Sequence, residues 1–130
     1  MRALAAGLCM TLALGVVLAR QARNLAGDKE KPKYTIKKVM QLAHSKDGIL
    51  KKVLDGDATE KEKESLAEMY AALCQCLPPR GEAAEWKKIT QKAVAAAQAA
   101  VKGDAEAPAL LKAATNCAVC HKQFKKLPKT

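Results

Sequence analysis

Apolar residues recur at helical spacing in four separate runs between residues 35 and 127, and no run alternates with the period of two that a strand requires. Thr35 is placed to cap the first run, whose inward positions are Ile36, Val39, Met40, Ala43, Leu50, Val53 and Leu54. Gly48 weakens the middle of that helix, and Asp55-Gly56-Asp57 ends it. Thr59-Glu60-Lys61-Glu62 has the spacing of a capping box and opens a second run, with Leu66, Met69, Tyr70, Leu73 and Leu77 inward. Pro78-Pro79-Arg80-Gly81 closes it, because proline cannot continue a helix. The third run turns Trp86, Ile89, Ala93, Val94, Ala97 and Val101 inward, with Gly103 at the place of a C-terminal glycine cap. The fourth starts at Asp104 or Ala105 and tolerates Pro108 in its first turn. Its inward stripe is Leu110, Leu111, Ala114, Cys117, His121 and Phe124, ending near Leu127.

Four helices with short connections predict an all-α fold, an antiparallel four-helix bundle over residues 34–127. The chain ahead of it reads differently. Residues 20–33 are polar and contain a Gly and a Pro, the composition of a flexible tether. Ala3 to Ala19 carries no charge, follows Met1-Arg2, and ends in Val17-Leu18-Ala19. That is the pattern of a secretory signal peptide over residues 1–19, cut after Ala19, and it predicts a periplasmic or otherwise exported domain. Left uncleaved, the same run would be a membrane tether.

The whole chain has 130 residues and a formal net charge of +10. The basic residues are spread as pairs, Lys37-Lys38, Lys51-Lys52, Lys87-Lys88 and Lys125-Lys126, and form no single block. Tyr34, Tyr70, Trp86 and Phe124 are the only aromatic side chains, too few to stack bases along a strand. With export, this composition argues against nucleic acid and for acidic protein partners.

One short stretch carries chemistry. Cys117-Ala118-Val119-Cys120-His121 is a C-x-x-C-H motif, the attachment signature of c-type haem. On a helix its three functional residues fall at i, i+3 and i+4, on one face. Two thiols one turn apart suit two vinyl groups of one porphyrin, and the adjacent imidazole suits the iron. A zinc site would want four ligands in two spaced pairs, and Cys74 and Cys76 are only two apart. A redox disulfide of the thioredoxin kind starts a helix beside a sheet, whereas this motif is expected to close the last helix. One covalent haem c also accounts for the scarcity of aromatic side chains, since a porphyrin is itself a large apolar body.

With that motif at the C-terminal end of four helices, the chain resembles the class II c-type cytochromes, cytochrome c′ and its low-spin relatives. The resemblance rests on Cys117, Cys120 and His121, the helix count and a methionine on the first helix. It implies thioethers from Cys117 and Cys120, with His121 as proximal iron ligand. It further implies that the first helix covers the opposite haem face. Low-spin members place a methionine there; cytochrome c′ leaves the position apolar and the iron five-coordinate. The resemblance also allows a homodimer through the first two helices.

Met40 and His44 lie one turn apart on the first helix, so either is a candidate distal ligand, Met40 in the position that fits the family better. Met69 is a third candidate, although it sits among core positions of the second helix, where packing is the expected role. A filled sixth site predicts an electron carrier between redox partners; an empty one predicts binding of nitric oxide or carbon monoxide. The carboxylates cluster at helix starts and form no acid–base or nucleophilic constellation, so no catalytic residue is assigned and the chain is not read as an enzyme. Cys74 and Cys76 are expected as one buried and one exposed thiol.

Overall fold

The computed structural model describes residues 31–127; the expected signal peptide, residues 1–19, and most of the expected tether, residues 20–33, lie outside them. Among the described residues every regular element is helical. These are α1 (Ile36–Ala43), α2 (Ile49–Asp55), α3 (Glu60–Gln75), α4 (Ala83–Val101), α5 (Ala107–Ala114) and α6 (Cys117–Phe124).

The two long helices form the centre. Thr59 caps α3 in a full capping box: its hydroxyl accepts from the Glu62 N–H, and the Glu62 carboxylate accepts from the Thr59 N–H. α4 ends as its glycine predicts. Gly103 sits at φ 73°, its N–H donates to the Ala100 carbonyl and the Asp104 N–H to that of Ala99. Those bonds are a Schellman motif, which only a residue at home in the left-handed region closes cheaply. At 1.5 Å per residue α3 and α4 run about 24 and 28 Å. They pack side by side through Leu66, Met69, Tyr70 and Leu73 against Trp86, Ala93, Ala97 and Ala100, all buried. The alanines let α4 approach closely. Trp86 donates its indole N–H to the Leu73 carbonyl at 3.1 Å, satisfying the one polar atom it brings into the core. α1 and α2 lie against α3, α5 lies against α4, and α2 meets α5.

Both outer helices depart from the sequence expectation. The first is not continuous: α1 stops at Ala43 and α2 begins at Ile49. Gly48 does more than weaken the middle. It is the buried N-cap of α2, and a Cβ there would fall 2.4 Å from the Ala43 carbonyl oxygen. The chain folds back on itself too tightly for any side chain. The expected fourth helix is likewise two, α5 starting at Ala107 and ending at Ala114, then α6 from Cys117. Asn116 makes the second break by capping α6, its side-chain oxygen accepting from the Val119 N–H at 3.2 Å. A cap offers the backbone an alternative to helical continuation, and the periodicity of apolar residues does not register it.

Burial follows the expectation along α3 and at Trp86, Ala93 and Ala97 of α4; Ile89, Val94 and Val101 are only half-buried, and the expectation fails at the ends. Leu77 is 81 % exposed because α3 stops at Gln75, and Leu110 is 47 % exposed. Cys74 and Cys76 are both half-buried, not one in and one out, and neither is in a disulfide. The Cys76 thiol donates to the carbonyls of Ala72 and Tyr34 (3.3 and 3.6 Å), and burial pushes its pKa up.

Candidate functional site

The two breaks face one cleft. From the first comes His44, the C-cap of α1, whose N–H donates to the Met40 carbonyl at 3.2 Å. Its backbone is no longer helical (φ −106°, ψ 7°), and the turn behind it is closed by the Gly48 N–H donating to Ser45. From the second break comes the C-x-x-C-H motif itself, with Cys117 the first residue of α6.

α6 is held at both ends. Asn116 caps its start, and its last carbonyls, those of Lys122 and Gln123, accept from the Arg80 guanidinium. Phe124 is buried at its end, edge-on to Trp86 with ring centroids 5.2 Å apart. Gly81, at φ 82°, leaves the space: a Cβ there would come within 3.0 Å of the Phe124 ring. The Pro78-Pro79-Arg80-Gly81 connection therefore both ends α3 and docks α6.

Cys117, Cys120 and His121 line the cleft, together with Met40, His44, Tyr70, Leu73, Ile89, Thr90 and Ala93. Its walls are almost wholly apolar, and its cavity volume is about 40 Å3. The motif was expected on the inward face of a helix. Instead Cys117 and His121 are exposed at the rim and only Cys120 is half-buried, because the Asn116 break turns α6 toward the opening.

Two polar atoms on the cleft walls are buried without a hydrogen-bond partner, Nε2 of His44 and the hydroxyl of Tyr70. Their rings lie against one another, centroids 5.7 Å apart and tilted by 41°. Burial pushes the His44 imidazole below its ordinary pKa, and a charge on His121 pushes it further. Burial likewise raises the Tyr70 hydroxyl, with Cys117 adding to it. Each wall thus feels the motif opposite. The Cys120 thiol is held up by burial and then by Cys117.

The motif opens a helix after all, as a thioredoxin-like disulfide would. The setting still differs, because no strand lies beside it among the described residues. Nor do three or more His, Cys, Asp or Glu side chains converge on a metal-sized point among the described residues.

Of the distal candidates, Met40 and His44 both line the cleft, while Met69 is buried in the α3–α4 core and does not. Sequence reasoning missed Tyr70 as a wall residue, treating it as core, and missed Arg80 and Asn116. Asn116 left a readable signal, a capping side chain three residues before the amide it accepts from. Arg80 left none, since its partners are carbonyls 42 and 43 residues away.

The chain matches no family model, no curated protein and no solved structure.

Proposed function

We propose that the protein is a monohaem c-type cytochrome of the class II kind that carries single electrons between partner proteins. One observation carries the reading. The cysteines and histidine of a C-x-x-C-H motif line a single apolar cleft whose opposite wall presents two buried polar atoms without partners. A buried donor or acceptor left unpaired costs about 1–3 kcal/mol. Two in one cleft fit a ligand that is mostly apolar yet offers polar partners of its own, and the scattered donor set fits a metal that arrives with its own ring of ligands.

In this reading Cys117 and Cys120 hold haem c through thioethers and His121 takes the proximal iron position. When bound, the haem supplies a one-electron iron couple, whose potential its axial ligands tune. The apolar walls from Leu73, Ile89 and Ala93 exclude water, and Tyr70 offers its hydroxyl to a polar edge of the ligand. The helix arrangement is read as an antiparallel four-helix bundle whose first and last helices are each broken: α1–α2, α3, α4 and α5–α6. Lys122, Lys125 and Lys126 are exposed beside the motif and suit an acidic redox partner. The export that haem attachment requires rests on the signal segment, residues 1–19.

The test is the optical spectrum of the full chain matured with haem, oxidised and reduced, with and without carbon monoxide. The electron-carrier reading expects a low-spin spectrum that ignores the gas, since two candidate ligands already stand on the distal wall. A high-spin spectrum that shifts with carbon monoxide would transfer the protein to the gas-binding class.

A further inference from the structure

We propose that His44, not Met40, is the protein ligand on the distal side of the haem. The inference rests on the cytochrome reading above and adds to it the identity of the sixth ligand. Both side chains line the cleft, one helical turn apart. They differ in what each needs. The thioether of Met40 is half-buried against the hydrophobic core and is satisfied by packing alone. Nε2 of His44 is buried with no partner, and an imidazole nitrogen in that state calls for a donor or a metal.

The backbone around His44 is built to aim it. Met40 is an interior residue of α1, whereas His44 stands at the C-cap, where the chain leaves the helix. Gly48 permits that exit, since any Cβ there would overlap the Ala43 carbonyl. The Tyr70 ring lies beside the imidazole in the same cleft, ring centroids 5.7 Å apart. At the break His44 lines the same cleft as His121.

The experiment uses the full chain matured with haem, as wild type, His44→Ala, and Met40→Leu, which conserves volume. Covalent haem is first established on each denatured sample by haem staining, so loss of attachment is separated from loss of the distal ligand. The wild type should give a low-spin ferric electron paramagnetic resonance signal of the bis-histidine type and lack the near-infrared band of methionine sulfur on ferric haem. His44→Ala should turn high-spin and bind carbon monoxide when reduced, while Met40→Leu keeps the wild-type spectrum. The sulfur band in the wild type, or a high-spin Met40→Leu beside a low-spin His44→Ala, would overturn the proposal, and so would a high-spin wild type. The wild-type measurements decide the matter even if His44→Ala does not fold. No covalent haem in the wild type would overturn the cytochrome reading itself and this inference with it.

Discussion

The central pair α3 and α4 and the outer pairs α1–α2 and α5–α6 solve different problems with the same helical material. α3 and α4 are long and unbroken, and their buried stripe runs from Leu66 to Leu73 and from Trp86 to Ala100. The outer pairs are each cut once, at His44–Gly48 and at Thr115–Asn116, and the cuts bring His44 and the C-x-x-C-H motif to a cleft that Tyr70, Leu73, Ile89 and Ala93 of the central pair also line. A straight helix can present a ligand only on the face its packing dictates. A break frees one or two side chains from that constraint, at the cost of helical hydrogen bonds that caps must then replace. The unbroken pair supplies most of the buried core, and the broken pairs supply His44 and the C-x-x-C-H motif.

That division can be broken experimentally from the centre outward. Leu66→Ala removes a fully buried side chain from α3, and the whole described domain should lose about 2–5 kcal/mol, read as a lower midpoint in denaturant with the slope unchanged. If the loss is local and the midpoint holds, α3 is not the shared core. Gly48→Ala should cost about 1–3 kcal/mol, because the backbone must move to clear the Ala43 carbonyl. In the haem-loaded protein it should also disturb the iron's spin state out of proportion to its effect on stability.

Asn116→Ala removes the cap of α6 and should cost about 1 kcal/mol in thermal unfolding, with a larger effect on the yield of attached haem. The smallest effect belongs to the scaffold's surface. The Lys52 ammonium, then the Thr59 N–H, holds the Glu62 carboxyl below its ordinary value of 4.5. A carboxylate depressed in the folded state contributes stability above its unfolded value and loses it as pH falls through the lower folded one. Lys52→Ala should therefore move the Glu62 midpoint back toward 4.5 in a carboxyl-detected NMR titration, while the Thr59 N–H keeps it from returning fully. An unmoved midpoint would mean that the charge pair adds nothing to the capping box.

What the sequence made legible follows the same line. The capping box at Thr59, the glycine at Gly103 and the apolar positions Leu66, Met69, Tyr70 and Leu73 of α3 each speak of one helix alone, and all three appear where they were expected. The breaks were not foreseen. Met40, Ala43, Leu50 and Val53 keep helical phase across the first, as Leu111 and Phe124 do across the second, so periodicity reads through the gap. What cuts the chain is a contact over five residues at Gly48 and a side-chain cap at Asn116. The motif itself was unmistakable as a spacing. Its exposure at the cleft rim, and Tyr70 facing it, depend on how α6 is docked by Arg80, Gly81 and Phe124, and no local pattern encodes that docking.

The central claim is that Cys117 and Cys120 are joined covalently to a haem. Its most direct test is the mass of the polypeptide after maturation, measured denatured and reduced. The account predicts a chain heavier by one haem, and a bare chain when both cysteines are replaced by alanine. A wild-type chain at its bare mass, with both thiols free to alkylate, would contradict it.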